Sequence, residues 1–98
     1  MLRLICLVQL EPNGDRDALV AAARQMVADE PRIIRGEVMP GLGLMKEFVD
    51  HADYSLVMDF ASQQDWSDYI AGSPHMKFDA FARPFLKHVV VTQYELPD

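Results

Sequence analysis

Tyr54-Ser55-Leu56-Val57-Met58-Asp59-Phe60 is the stretch of this chain that decides its fold. Successive side chains of a β-strand point to opposite sides of a sheet, so an alternating pattern predicts a strand. One side of this strand is large and apolar, and the other side is mixed. The apolar side holds Tyr54, Leu56, Met58 and Phe60, and the mixed side holds Ser55, Val57 and Asp59.

Three other segments alternate in the same way, which predicts four strands in all. The predicted strands are residues 2–10, 33–39, 54–60 and 88–96. Because the chain has only 98 residues, we predict a single domain over residues 1–98.

Helical patterns occupy the intervals between these strands. Residues 15–28 are predicted to form a helix with Asp15 as its N-cap, and residues 62–71 form a second helix. Residues 74–86 are a further helical stretch that Pro84 must end or kink. The order β-α-β-β-α-β predicts a ferredoxin-like α+β fold with a four-stranded antiparallel sheet.

The two sides of the predicted sheet differ in composition. One side is almost wholly apolar, so it must meet the helices. The other side has polar residues at its rim and apolar residues at its centre, and such a patch needs cover because a sheet face left to solvent should be polar. We therefore predict a homodimer in which two sheets face each other and close an α/β barrel. The predicted contact residues are Ile5, Leu7, Val57 and Val90.

Residues 66–78 form a second informative stretch, because it places Tyr69 and His75 six residues apart with Gly72 and Pro74 between them. Six residues of an unbroken helix correspond to about 600° of rotation, which would point the two side chains apart. Gly72 is typical of a helix end and Pro74 of a helix start, so two short helices are predicted instead. The phenol and the imidazole could then reach one pocket, where a cofactor-free enzyme would polarise a carbonyl and move a proton. Packing and capping are the alternative roles for both side chains.

Residues 41–53 are predicted as the longest irregular segment, and the segment is unusually apolar for a loop. Its apolar residues are Leu42, Leu44, Met45, Phe48 and Val49. Apolar loop residues usually cover something. We expect the segment either to cover the domain's own core beside a strand edge, or to contact a partner or form a pocket wall.

Charge and composition exclude several classes of protein. Nine Lys and Arg against 15 Asp and Glu give a formal net charge of −6, which would repel a phosphate backbone, so no nucleic-acid partner is expected.

The single Cys6 excludes an intrachain disulfide and fits a reducing cytoplasm. His51, His75 and His88 lack metal-ligand spacing, so neither a metal nor a cofactor is expected. Residues 1–10 do not resemble a signal peptide, and no apolar run approaches the roughly 20 residues of a membrane span.

The chain resembles the stress-responsive A/B barrel family, a group of dimeric α/β-barrel proteins. The resemblance extends over nearly the whole chain in family order, through residues 2–8, 54–60, 69–78 and 84–95. It implies two antiparallel sheets face to face in a dimer. One plant member closes a linear polyketide by aldol chemistry without a cofactor, and its catalytic tyrosine and histidine match Tyr69 and His75. By that resemblance, His75 would be the general base that removes a proton α to a carbonyl, and Tyr69 would orient the carbonyl and the histidine.

Two positions depart from the family pattern. Many members have histidines where this chain has Leu4 and Tyr54, and both positions face the helices, so the expected pocket is more apolar here. The residues predicted to bind a substrate in it are Leu4, Tyr54, Met58, Trp66 and Phe78. Trp66 and Phe78 have core packing as their alternative role.

Four hypotheses of function follow from these observations. The first is a small cytoplasmic homodimer of uncharacterised activity that binds a small apolar or aromatic molecule between sheet and helices. The second is a cofactor-free, polyketide-cyclase-like lyase that uses His75 and Tyr69, and the third is a cofactor-free monooxygenase of the antibiotic-biosynthesis type. The fourth is a protein-interaction or stress module. An open cavity near His75 would favour the first two, and a filled core with Tyr69 against His75 would favour the fourth.

Overall fold

Four antiparallel strands form one sheet in the computed structural model, which describes residues 1–97. The elements in chain order are β1 Leu2–Leu10, α1 Arg16–Asp29, β2 Ile33–Pro40, β3 Tyr54–Phe60, α2 Gln63–Ala71, α3 Ser73–Ala82, a 3₁₀ turn Arg83–Phe85 and β4 Leu86–Glu95. The order of strands across the sheet is β2-β3-β1-β4. The predicted ferredoxin-like arrangement is therefore confirmed.

The register of β1 decides which residues share a face of the sheet. Leu4 lies opposite Met58 and Cys6 lies opposite Leu56 in the β1–β3 pair, and Cys6 lies opposite Val91 in the β1–β4 pair. Residues directly opposite each other in an antiparallel pair lie on the same side of the sheet. The apolar residues of three strands thus form one helix-facing side, as the alternation predicted.

Side-chain caps determine where two of the helices begin. The Asp15 carboxylate accepts a hydrogen bond from the Ala18 backbone N–H at 3.1 Å, and the Ser62 hydroxyl accepts one from the Asp65 N–H at 3.1 Å. Each cap satisfies a backbone donor that the first turn of a helix leaves unpaired. Helix α1 then packs on the sheet through Leu19, Val20, Ala23 and Met26, all of which are buried.

The third helical stretch is shorter than the predicted residues 74–86. Helix α3 ends at Ala82, Pro84 lies in the 3₁₀ turn, and β4 begins at Leu86, two residues earlier than predicted. Proline has no backbone N–H to donate and its ring crowds the preceding turn, so an α-helix cannot continue through it. The prediction that Pro84 ends this helix is confirmed.

Residues 41–53 form an irregular segment, as predicted, but they do not cover the domain's own core. All five of its large apolar side chains are exposed, from 56% for Met45 to 83% for Leu42. The segment is fastened to β1 at its end, where the Asp53 carboxylate accepts a hydrogen bond from the Leu10 N–H at 2.7 Å. This hydrogen bond holds the end of the segment against β1, while the apolar side chains of the segment are exposed.

The side of the sheet opposite the helices has two ion pairs and an apolar centre, and one of the two pairs is Arg35 with Glu37. Arg3 donates two hydrogen bonds to the Asp59 carboxylate, at 2.8 and 2.9 Å, across the β1–β3 pair. At the centre, Leu7 is 44% exposed and Val90 is 51% exposed. We refer to this side as the outer face. In residues 1–97 no helix is both long enough and apolar enough to cross a membrane.

Candidate functional site

A cavity of about 270 Å³ lies between the helix-facing side of the sheet and the helices α2 and α3. It is open to solvent on one side, and we call it the main cavity. All seven residues that the sequence suggested for a site contribute to its walls. They are Leu4, Tyr54, Met58, Trp66, Tyr69, His75 and Phe78.

Sequence reasoning missed some of the residues that line the main cavity. Val89 and Val91 line it from β4, and Asp79 lines it from α3, one turn after His75. Both valines lie on the helix-facing side, in keeping with the alternation of β4, but alternation cannot show that the helices leave this edge strand exposed. Asp79 also forms an ion pair with Arg83 at 2.6 Å, which holds its carboxylate at the rim.

The break between α2 and α3 is what brings the site together. Helix α2 ends at Ala71, and Gly72 has an extended backbone conformation (φ −80°, ψ 157°). The Gly72 N–H donates to the Tyr69 carbonyl at 3.0 Å, and its own carbonyl accepts from the Met76 N–H at 3.1 Å. Pro74 lies in the first turn of α3, where its missing N–H has no intrahelical partner to lose. The predicted pair of short helices is confirmed.

Tyr69 and His75 lie against each other beside the main cavity. Their ring centroids are 5.0 Å apart with an interplanar angle of 61°, an edge-to-face contact. The Tyr69 ring is also 5.1 Å from that of Phe60. The structure therefore combines features that the sequence had treated as alternatives, because the two side chains pack together and both line an open cavity.

His75 has a definite tautomer in its neutral form. Its Nδ1 lies 3.0 Å from the Ile70 carbonyl oxygen. A carbonyl oxygen only accepts hydrogen bonds, so we assign the proton of the neutral ring to Nδ1. The lone pair then lies on Nε2, which is the nitrogen that could take up a proton. This backbone contact orients the ring as the second partner of a general base would.

The Tyr69 hydroxyl has a weak partner. It is buried and donates to the Met26 sulfur at 3.5 Å. Burial raises the pKa of Tyr69, so the phenol stays protonated and acts as a donor. A thioether sulfur is a weak acceptor, so a better acceptor could compete for this proton. The predicted role of Tyr69 in orienting a substrate carbonyl requires such a change of partner, and it stays a prediction.

Two other ionisable groups of the main cavity are kept neutral by burial. Burial raises the pKa of the Cys6 thiol to about 11, and burial followed by the neighbouring Cys6 raises the pKa of Tyr54 to about 12. Nucleophilic attack by cysteine requires the thiolate, so Cys6 is a poor nucleophile at neutral pH. The cavity thus presents a nearly apolar wall, and its other ionisable side chains are His75 and Asp79.

Trp66 is the anomalous residue of this site. Its indole Nε1 is buried and has no hydrogen-bond partner within residues 1–97. The indole lines the main cavity, and it also lines a smaller cavity of about 210 Å³ beside Gln63 and Gln93. A buried tryptophan N–H usually has an acceptor, whereas the Nε1–H of Trp66 is a donor without an acceptor in the described residues.

Fold and cavity together define the class: a ferredoxin-like α+β domain with an apolar cavity between its sheet and two short helices. Solved structures share this fold over almost their whole length. A dimeric ferredoxin-like protein of unknown function from Thermobifida fusca matches with a TM-score of 0.84 at 21% identity, over 97% of this chain and 90% of its own. A hydroxynitrile lyase from Passiflora edulis matches with a TM-score of 0.82 at 18% identity, over 99% and 94%. A dabb family protein with a ferredoxin-like fold from Mesorhizobium loti matches with a TM-score of 0.79 at 14% identity, over 99% and 97%.

An antibiotic biosynthesis monooxygenase also has this fold, with a TM-score of 0.78 at 12% identity over the full length of both chains. At identities this low, the likeness shows the fold alone. The ferredoxin-like fold is therefore confirmed, and with it, at the level of fold, the resemblance to dimeric α/β-barrel proteins. No protein-family profile matches the chain, and no curated protein matches it.

Proposed function

We propose that the protein is a homodimer of the stress-responsive A/B barrel type that binds a small apolar or aromatic molecule in the main cavity. The observation that supports this most directly is the cavity itself, about 270 Å³ in volume and open to solvent beside His75. Small-molecule sites are typically concave and mostly apolar, with a few polar groups that orient the ligand. The main cavity has this composition, with His75, Tyr69 and Asp79 as its polar groups. We also propose that the protein resides in a reducing cytoplasm, with which a single cysteine outside any disulfide is compatible.

The outer face supports the homodimer. Leu7 and Val90 are about half exposed there, and they lie opposite each other in the β1–β4 pair. Ile5 and Val57 lie opposite each other in the β1–β3 pair and are partly exposed. Together the four side chains form a continuous apolar patch, which a monomer would leave in water. Packing against the same face of a second copy would cover it, and the Thermobifida fusca protein of the same fold is dimeric.

Calorimetric titration with a small aromatic probe, 4-propylphenol, tests the proposed binding. The wild-type protein should bind the probe with a negative change in heat capacity, which marks the burial of apolar surface. Val91→Phe should fill part of the main cavity and weaken binding by roughly tenfold or more, because Val91 is a half-exposed wall residue. Ile34→Phe is the matched control, since Ile34 is a similarly exposed residue on the other edge strand. Absence of binding, or equal losses in both variants, would contradict the proposal.

A second function is favoured by the hydrogen bond from His75 to the Ile70 carbonyl. That bond leaves the lone pair of neutral His75 on Nε2, as a general base requires. We propose as the alternative a cofactor-free lyase or cyclase in which Nε2 removes a proton from the carbon α to a ligand carbonyl. The electron pair of the broken C–H bond passes to the carbonyl oxygen as an enolate, which the protonated Tyr69 hydroxyl would stabilise. The monooxygenase hypothesis rests on the likeness of fold alone.

Hydrogen–deuterium exchange at the methyl group of acetophenone, followed by NMR in D₂O, tests this chemistry without a known substrate. Wild-type protein should speed the exchange above the buffer rate. His75→Gln should abolish the acceleration while calorimetry still detects binding of acetophenone, because the glutamine side chain is not basic. Equal exchange with both proteins would rule out His75 as the base and leave the binding function standing.

A further inference from the structure

Trp66 lines two cavities of different chemistry. One is the main cavity, and the other is the smaller cavity of about 210 Å³, which we call the side cavity. The residues that line the side cavity are Leu2, Gln63, Trp66, Gln93, Tyr94 and Glu95. Its walls therefore include two side-chain amides and a carboxylate, whereas the main cavity is almost wholly apolar.

The register of β4 shows that the two cavities follow one line along the sheet. Gln93 lies opposite Leu4 and Glu95 lies opposite Leu2, so both are on the helix-facing side, as Val89 and Val91 are. The helix-facing side of β4 is thus apolar at the two valines and polar at Gln93 and Glu95. From Val89 to Glu95 this line is about 20 Å long, at roughly 3.3 Å per strand residue.

The indole that lines both cavities has a free donor. Trp66 Nε1 is buried and lacks a hydrogen-bond partner in the part of the chain that the structure describes. Leaving a buried donor unpaired is unfavourable, and native proteins do so rarely. Because Nε1 is enclosed, a ligand oxygen can pair with it only if the indole rotates, and no hydrogen bond through Nε1 opposes that rotation within the described residues.

We propose that the main and side cavities together bind an elongated amphiphile with a neutral, hydrogen-bonding head. The apolar body occupies the main cavity against Val91, and the head enters the side cavity. The carbonyl oxygen of the head accepts from Trp66 Nε1, and its N–H groups donate to the side chains of Gln93 or Glu95. This inference rests on the proposed binding function and names the class of ligand.

The charge around the side cavity selects against an acidic head. Glu95 lies in its wall, and its carboxylate contacts the Met1 amino group at 3.6 Å. The side chains of both residues are largely exposed, so this ion pair is weak. A carboxylate head would meet the Glu95 charge within a protein whose net charge is already −6. A primary amide has the same shape without the charge.

Three probes with the same phenylbutane carbon skeleton test the proposal by calorimetry: 4-phenylbutanamide, 4-phenylbutanoate and butylbenzene. We expect the amide to bind about tenfold more tightly than butylbenzene, the ratio expected for one net hydrogen bond, and the carboxylate to bind more weakly than the amide. Trp66 is the only tryptophan, so its fluorescence emission should change with the amide. In Trp66→Phe the amide should lose its advantage while butylbenzene still binds.

Equal affinities of the amide and butylbenzene for the wild-type protein would overturn the proposal, as would an amide preference that persists in Trp66→Phe. A preference for the carboxylate would overturn it as well. If butylbenzene binds and the amide gains nothing, the proposed function survives without this inference. If no probe binds, the proposed binding function fails and this inference fails with it.

Discussion

The sheet under α1 and the sheet under α2 and α3 have the same apolar alternation. The core residues of α1 are buried, whereas part of the strand beside α2 and α3 is exposed, so we call them the closed half and the open half. Under α1, the residues Leu19, Val20, Ala23 and Met26 are all buried. Under α2 and α3, the wall residue Val91 is 52% exposed. The comparison teaches that alternation determines which side of a sheet meets helices, while the length and continuity of those helices determine whether the space between is filled.

Two local features account for the difference. Helix α1 has 14 residues without a break, and Gly36 lets it approach β2 so closely that a Cβ there would lie 2.5 Å from Val27 Cγ1. Helices α2 and α3 have nine and ten residues, and Gly72 separates them. Two short helices at an angle cannot cover the sheet to its β4 edge as one straight helix could. The uncovered strip becomes the wall of the main cavity.

The largest effect is expected on the outer face, which neither half of the helix layer covers. Val90→Asp should convert the proposed dimer to a monomer, because each copy would bury an unpaired carboxylate. The cost is about 4 kcal/mol or more per dimer, roughly 1,000-fold in the dissociation constant. Val91→Asp is the matched control: it is next in the strand and equally exposed, but it lies on the helix-facing side. Sedimentation velocity at several concentrations measures the result, and dissociation by both variants, or by neither, would argue against this interface.

The closed and open halves should differ most clearly in their response to truncation. Leu19→Ala leaves a cavity in the closed half and should lower the free energy of unfolding by about 2–5 kcal/mol. Val91→Ala removes a half-exposed side chain from the open half and should change it by no more than about 0.5 kcal/mol. Urea denaturation at one fixed protein concentration compares the two variants. A loss from Val91→Ala as large as that from Leu19→Ala would mean that a partner or ligand covers the open half.

The Arg3–Asp59 ion pair of the outer face should make a smaller contribution to the free energy of unfolding, and this contribution should depend on pH. Asp59→Asn should cost about 1–3 kcal/mol at neutral pH, because Arg3 loses the charged acceptor of its two hydrogen bonds. The Arg3 guanidinium holds the pKa of Asp59 below its usual value, so the stabilisation exists above the unfolded pKa of about 3.9. This stabilisation is lost as the pH falls through the pKa of Asp59 in the folded protein, which is lower than in the unfolded chain.

We therefore expect the difference in the free energy of unfolding between wild type and Asp59→Asn, measured by denaturation from pH 7 to pH 3, to become smaller at the acidic end. Asp79→Asn provides the control, since the Asp79–Arg83 pair lies on the surface of the helix layer and should contribute less than about 1 kcal/mol. A difference that stays constant down to pH 3 would show that the Arg3–Asp59 ion pair is not its origin.

The smallest effect concerns the rate at which Cys6 reacts in the open half. With its pKa raised to about 11, its reaction with a disulfide reagent should rise roughly tenfold per pH unit between pH 8 and pH 10. An unperturbed thiol levels off above its pKa of about 8.5, so free glutathione is the control. Because Cys6 lines the main cavity, a bound probe should slow the reaction. A plateau near pH 9 would show that the thiol is better hydrated than the structure indicates.

Local signals made most of the fold predictable. Asp15 and Ser62 cap their helices as expected, and Pro84 ends α3, because caps and prolines act within a few residues of their position. The helix-facing residues of β3 followed from alternation, which depends only on strand geometry. The predicted boundaries at the end of α3 and the start of β4 were less accurate, because a 3₁₀ turn follows Ala82 and β4 begins directly after that turn.

The site was predictable in its members and less so in its contacts. The Gly72 break indicated Tyr69 and His75, and the resemblance to the A/B barrel family implied a pocket between sheet and helices. All seven residues predicted for the site are among those that line the main cavity. The Tyr69 hydrogen bond to Met26 joins residues 43 positions apart, and the unpaired Trp66 Nε1 depends on everything that surrounds it. Sequence spacing holds no information about such contacts. For the same reason the expectation that the apolar side chains of residues 41–53 cover the domain's own core was wrong, because they are exposed, and their contact with a partner stays a prediction.

The sequence by itself determined the order of the elements, the two faces of the sheet and the break at Gly72, because each depends on neighbours within one or two turns of chain. Only the tertiary structure decided that the space beside His75 is open, that its Nδ1 contacts the Ile70 carbonyl and that Trp66 lines two cavities. These features depend on how closely separate elements approach one another. That approach is the joint result of many side-chain volumes, and no local pattern records it.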